Sequence, residues 1–192
     1  DTLSLHDALP ICVGLILNKL YKTKSVLINT SSAHYRMIID SNKLIKISLI
    51  KPVYKTNLIK IGKHSGYYID SGAKHFIIEY KNDWPNNNIL EQEARLIRYD
   101  SYFTKGINVN FYKVINRNNI EIKTYEKGIE KMMNSCASGS YACIHHLYNN
   151  KKINDKVTVI NDGGNAEIIL SKAEDFIVGY AVIDYKAKLE VK

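Results

Sequence analysis

The stretch Tyr125–Ala142, YEKGIEKMMNSCASGSYA, decides how this chain is read. Cys136 stands before Ala137, Ser138, Gly139 and Ser140, small residues that open a helix predicted to run to Asn150. Backbone N–H groups at a helix start have no partner inside the helix and point outward, where they can hold an anion. The same positive end stabilises a thiolate and lowers its pKa. A cysteine there suits nucleophilic or proton-transfer work, and small neighbours let a substrate carboxylate approach the backbone. Most lone cysteines are buried small hydrophobes, so only the surroundings of Cys136 separate the two readings.

Outward from this helix the chain alternates many strands with few helices. Cys12 to Tyr21 reads as a buried helix with Val13, Leu15, Ile16 and Leu20 as its apolar stripe. Ser25 to Thr30, His34 to Ile39 and Leu44 to Ile50 read as strands, and Pro52 as a boundary. Tyr67 to Asp70 and Phe76 to Tyr80 are strands around the Ser71-Gly72 turn. Asn88 is predicted to cap a helix over Ile89 to Tyr99, with Leu90, Ala94 and Ile97 on one face. Val109 to Ile115, Ile120 to Tyr125, and a hairpin of Val157 to Ile160 with Ala166 to Leu170 follow. Val178 to Ile183 and Ala187 to Val191 complete the strands. This is not a regular βαβ alternation, which indicates α+β, and the two blocks hint at a duplicated unit.

Composition narrows the function classes. With 192 residues, 45% of them hydrophobic, the chain can bury a core, and no apolar run reaches membrane-spanning length. The formal charge of +8 comes from lysines scattered along every segment, without a nucleic-acid-binding module. Such a field equally serves an anionic small substrate. Three cysteines, without a Cys-x-x-Cys pair, argue against a disulfide framework or a structural zinc site and for a reduced compartment. A cytoplasmic location is the expectation. Cys143 reads as core, the adjacent His145 and His146 as pointing apart rather than as a metal pair, and Gly163-Gly164 as a turn.

Several short motifs join Cys136 in a fixed order. Asp70-Ser71-Gly72-Ala73-Lys74-His75 comes first, then Ile107-Asn108-Val109-Asn110-Phe111, Glu126-Lys127-Gly128, the Cys136 helix start and Gly163-Gly164. The set resembles the diaminopimelate epimerases. Their C-terminal half carries a Ser/Met-Gly-Asn-Pro-His turn, an Asn-Val-Asn-Phe strand, a Glu-Arg-Gly motif and a Cys-Gly-Thr/Ser-Gly helix start. Val178 to Val182 looks like that family's closing Gly-Pro-Ala segment, so the resemblance covers nearly everything from Cys12 to Lys192. It implies two pseudo-symmetric halves, each a curved mixed sheet around a central helix. Residues 12–53 with a return strand over 178–192 would be the remnant of an incomplete first half, and residues 54–177 the half carrying Cys136.

The implied chemistry is racemisation without cofactor or metal: one cysteine thiolate removes the α-proton and a second cysteine returns one on the opposite face. Cys136 would be one of the pair. The amides of Ala137, Ser138 and Gly139 would hold the α-carboxylate, Asn108, Glu126 and Lys127 would orient the rest of the substrate, and His75 would give polar support. The resemblance implies a small amino acid as partner, diaminopimelate first, on the way to lysine, with no nucleic acid or membrane partner and room for a homodimer.

The match departs from the pattern in instructive places. Residues 1–11, DTLSLHDALPI, contain no Lys, Asn or Tyr and resemble a translated sequencing-library adapter; without them the charge is 27 against 17, or +10. A Cys-Gly-Asn-Gly motif expected upstream of Cys12 is absent, so the chain as given is expected to racemise nothing. Ala73-Lys74 replaces Asn-Pro before the histidine. Lys127 replaces the Arg of Glu-Arg-Gly and lacks its bidentate fork. Glu130 to Ser135 is a residue longer than usual, and Asn134-Ser135-Cys136 looks closer to histidine racemases of metallophore pathways. A non-catalytic relative that binds an amino acid is the rival reading. Phenazine-type isomerases of the same fold lack the paired cysteines, so Cys136 argues against that alternative.

Overall fold

The computed structural model describes residues 14–29, 34–39 and 44–179. The N-terminal strands are β1 (Ser25–Asn29), β2 (His34–Ile39) and β3 (Ile45–Ser48), after a helix α1 over residues 14–21. The short β4 (Val53–Tyr54) and β5 (Ile59–Ile61) lead into β6 (His64–Asp70) and β7 (Lys74–Glu79). Helix α2 (Asn87–Arg98) precedes β8 (Asn108–Asn116), β9 (Asn119–Glu126) and β10 (Lys131–Met133). Helix α3 (Ala137–Asn149) is followed by β11 (Lys156–Asn161), β12 (Gly164–Ile169) and β13 (Phe176–Gly179).

Among the described residues the strands form one mixed sheet, ordered β1-β2-β3-β13-β12-β11-β9-β8-β7-β6-β4, with β10 on β9 and β5 on β6. Two neighbouring pairs are parallel, β7 with β8 and β9 with β11. Parallel neighbours cannot be joined by a tight turn, and the crossovers contain α2 and α3 respectively. The helices lie on opposite faces. Leu90, Ala94 and Ile97 of α2 pack on Phe76, Ile78, Val109, Phe111 and Tyr125. Tyr141, Ala142, Cys143, Ile144 and Leu147 of α3 pack on Ile69, Ile77, Tyr112, Ile120, Ile122, Val157, Val159 and Ile168. Alternate residues of β7 and β8 therefore enter two cores, one on each face of the sheet.

Residues 137–147 of α3 are all buried. Its core cluster draws on six consecutive strands, from β12 to β6. Six strands of a flat sheet span about 24 Å, twice the width of a helix, so the sheet must curl around α3 to reach it. This is a curved mixed sheet around a central helix, as the resemblance implied, and it fits the α+β class read from the strand pattern. β13 pairs with β12 on one side and β3 on the other, making the sheet continuous between the N-terminal strands and the rest.

Four local expectations are corrected. The cap of α2 is Asn86, not Asn88: Asn86 is extended and its Oδ1 accepts from Asn88 N at 2.7 Å. Starting the helix there lets Leu90 N bond Asn86 O. Three successive asparagines are equivalent caps in sequence, and only the packing of Leu90 chooses among them. Helix α1 is not a buried helix, because Ile16 and Leu20 are 48% and 66% exposed. It docks through Gly14, where a Cβ would lie 2.2 Å from the Met37 thioether. That contact turns Ile16 and Leu20 away from the small core of Ile28, Met37 and Ile45. Third, β4, β5 and β10 were not anticipated, since two or three residues show no alternation. Last, β6 begins earlier than Tyr67, at His64. Val13, Cys12, residues 1–11 and the strand read over Ala187 to Val191 lie outside the described residues, as do residues 180–183 of the preceding one.

Candidate active site

Cys136 is the N-cap of α3. Its backbone is extended (φ −150°, ψ 111°), its carbonyl accepts the first helical bond from Ser140 N at 2.9 Å, and its side chain makes no capping bond. Ala137, Ser138 and Gly139 fill the first turn and all are buried. Gly139 is required there: a Cβ would fall 2.2 Å from Asn110 Nδ2 on β8. Behind the cysteine, the turn between β11 and β12 braces the loop from β10. Gly163 N donates to Asn134 O at 2.8 Å, and a Cβ on Gly163 would meet Asn134 Cβ at 2.8 Å.

Sheet register assembles the polar residues beneath this helix start. His75 pairs with Asn108 across β7 and β8, and Glu126 lies one residue beyond the Val109–Tyr125 pair of β8 and β9. The next inward row is Ile77, Asn110 and Thr124. Alternation puts Asn108, Asn110, Thr124 and Glu126 on the α3 face, and all four are buried. His75 Nδ1 lies 2.8 Å from Asn110 Oδ1, and His75 Nε2 lies 3.2 Å from Ser138 Oγ. Asn110 Nδ2 donates to Thr124 Oγ1 at 2.6 Å. Ser71 Oγ donates to Ser138 O at 2.8 Å, and Ser138 Oγ lies 3.6 Å from Cys136 Sγ. Burial pulls the His75 pKa down to about 4, against the opposing pull of its bond to Asn110.

Seven of the eight residues expected at the site, Cys136, Ala137, Ser138, Gly139, His75, Asn108 and Glu126, therefore meet around one helix start. Lys127 differs. Its main-chain N donates to Asn108 Oδ1 at 2.7 Å, but its side chain is exposed and its ammonium lies 3.5 Å from Lys105 O. The reason is the turn that follows, where Gly128 takes φ +94° and Glu130 φ +59°. Glu130 itself accepts from Arg98, at 2.8 and 3.1 Å, and from Gly128 N at 2.9 Å, fixing the loop between β9 and β10.

Asn110 and Thr124 were missed as site residues. Asparagine at alternate positions of an otherwise apolar strand was the available signal, since inward polar residues of a buried strand must find partners.

The remaining candidates are engaged elsewhere. Cys143 is fully buried in the α3 core, and burial raises its thiol pKa well above the ordinary range. His145 Nδ1 lies 3.2 Å from Asn149 Nδ2, whereas His146 Nδ1 lies 2.8 Å from Tyr54 Oη, with its ring 4.4 Å from that of Tyr67. A cavity of about 800 Å³ lined by Tyr67, Tyr112 and His146 sits near the far end of α3 and excludes Cys136. No helix among the described residues is long and apolar enough to cross a membrane.

No protein-family profile matches the chain. Among curated relatives, the diaminopimelate epimerase of Hydrogenobaculum sp. (strain Y04AAS1) is 32% identical over 130 residues, 65% of this chain and 47% of the relative. That of Methanocella arvoryzae is 31% identical over 165 residues, 79% of this chain and 58% of the relative. The chain spans about half the length of these relatives. In fold it is similar to a probable proline racemase from Agrobacterium radiobacter K84, with TM-score 0.69 at 13% identity over 89% of this chain and 63% of that one. A PhzF-family phenazine biosynthesis protein from Enterococcus faecalis gives TM-score 0.62 at 11% identity, over 95% and 72%. Sequence over most of the chain establishes a family-level resemblance to the diaminopimelate epimerases, and over nearly all of it the chain has the α+β fold of the probable proline racemase and the PhzF-family protein.

Proposed function

We propose that this protein is a cofactor-independent amino-acid epimerase or racemase in which Cys136 exchanges the substrate α-proton, with diaminopimelate as the favoured substrate. The supporting observation is the placement of Cys136: a thiol at the extended cap of a central helix, over a first turn of small buried residues. In the proposed reaction the Cys136 thiolate takes the α-proton, leaving a thiol and a carbanion. A second acid returns a proton to the opposite face and becomes the new base. The first-turn amides of Ala137, Ser138 and Gly139 face the α-carboxylate and stabilise its growing charge, more in the transition state than in the bound substrate. Asn108 and Glu126 line the same row and would receive the amino group.

Cys143 does not serve as the second acid, since it is sealed in the core below the helix. The resemblance assigns that role to a Cys-Gly-Asn-Gly motif, which these 192 residues do not contain. A second reading, a racemase of another amino acid such as histidine or a non-catalytic amino-acid binder, draws on the exposed Lys127 side chain and on Ala73-Lys74. Neither supplies the fork that a distal carboxylate would engage.

The test is α-proton exchange into D2O by the protein encoded by its whole open reading frame, offered diaminopimelate, histidine and glutamate in parallel. Exchange on diaminopimelate that disappears in Cys136→Ala is the expected result. Exchange on another amino acid alone would retain the chemistry and change the substrate; none at all would favour the binder.

A further inference from the structure

A chain of side chains leads from Cys136 into the sheet: thiol, Ser138 hydroxyl, His75 imidazole, Asn110 amide, Thr124 hydroxyl. His75, Asn110 and Thr124 are at most 1% exposed, so bulk solvent does not reach them. The order of the bonds follows from the chemistry of each group. Asn110 presents Oδ1 to His75 Nδ1, and an amide oxygen can only accept, so the ring proton sits on Nδ1. A pKa of about 4 keeps the ring neutral at ordinary pH. Its Nε2 is then a lone pair, and Ser138 Oγ must donate to it. Ser71 meanwhile donates to the Ser138 carbonyl. The helix turn that carries the thiol is thus tied to the sheet through both the side chain and the main chain of one residue.

We propose that Asn110 and Thr124 are positioning residues of the Cys136 centre, holding His75 as the Nδ1–H tautomer so that it anchors Ser138 and the first turn of α3. This rests on Cys136 being the reacting group, as proposed above. Neither residue reaches the thiol; both act through His75. Asn110 gives Nδ2 to Thr124 Oγ1 and so keeps Oδ1 toward His75, whereas the opposite amide orientation would place the proton on Nε2.

The test uses the 192-residue chain and two independent readouts. In 15N-histidine-labelled protein, the His75 ring should show a protonated Nδ1 and a pyridine-like Nε2. A protonated Nε2 in the wild type overturns the proposal, without recourse to any variant. In Thr124→Val, which keeps the shape and removes the acceptor, the tautomers should mix. Iodoacetamide labelling of Cys136, read by peptide mass spectrometry against Cys143, should then rise about five-fold, the scale of one lost hydrogen bond. Thr124→Ser should behave as wild type. A Thr124→Val protein with the parent's tautomer and labelling rate also overturns the proposal. Absence of α-proton exchange in the protein of the whole open reading frame, with these signatures intact, would refute the racemase reading alone, which keeps the two failures distinct.

Discussion

Gly139→Ala is a small substitution that should have a large effect. The added Cβ would lie 2.2 Å from Asn110 Nδ2, 2.9 Å from its Cγ and 3.0 Å from its Oδ1. Asn110 is fully buried and committed to His75 and Thr124, so it cannot move without breaking one or both bonds. Overpacking of a tight core contributes about 1–3 kcal/mol of destabilisation. Each buried polar group left without a partner adds about 1–3 kcal/mol. Alanine's better helix propensity recovers at most about 1 kcal/mol. The expected net loss is about 2–4 kcal/mol, read from urea unfolding with an unchanged denaturant slope. The double variant with Asn110→Ala isolates the cause. With the obstructing side chain removed, Gly139→Ala should change stability by less than about 0.5 kcal/mol or raise it slightly. A single variant within about 0.5 kcal/mol of the parent would refute the reasoning, as would the same loss in the Asn110→Ala background.

Three further expectations follow from the packing and the buried histidines. As pH falls from about 6.5 to about 4, the unfolded chain binds a proton that folded His75 refuses, so stability present above about 6.5 is lost across that window. For His75 alone the loss is about 3 kcal/mol, and His64, His145 and His146, whose pKa values burial also lowers, add in the same direction. Urea titrations at pH 4.5 and 7 measure it, and equal stability at both would contradict the burial of these rings. Asn86→Ala should cost about 1 kcal/mol through loss of the α2 cap, without altering Cys136 alkylation. Gly163→Ala, whose Cβ would press on Asn134 Cβ and O, should cost about 1–3 kcal/mol and change the Cys136 labelling rate. An unchanged rate would show that the turn between β11 and β12 does not brace the cysteine loop.

The sequence by itself determined the elements whose information is local. Alternation over Val109 to Ile115 and Ile120 to Tyr125, the small residues after Cys136 and the turn at Asp162-Gly163-Gly164 each encode their structure within a few residues. The colinear motifs around them group His75, Asn108, Glu126 and Cys136 as one candidate site, and strand register sets the first three in one row across β7, β8 and β9. Only the tertiary structure decided what depends on distant partners. Asn110 joins His75, 35 residues away in sequence, and packs under Gly139, and no periodicity reports such a pairing. The two- and three-residue strands β4, β5 and β10 exist because a neighbour offers an edge, not because of their own pattern. The Lys127 side chain leaves the site because Gly128 turns the loop, and α1 exposes Ile16 and Leu20 because Gly14 docks against Met37. Hydrophobic period tells a chain which residues can be buried together; which surfaces then meet is settled by packing among elements far apart in sequence.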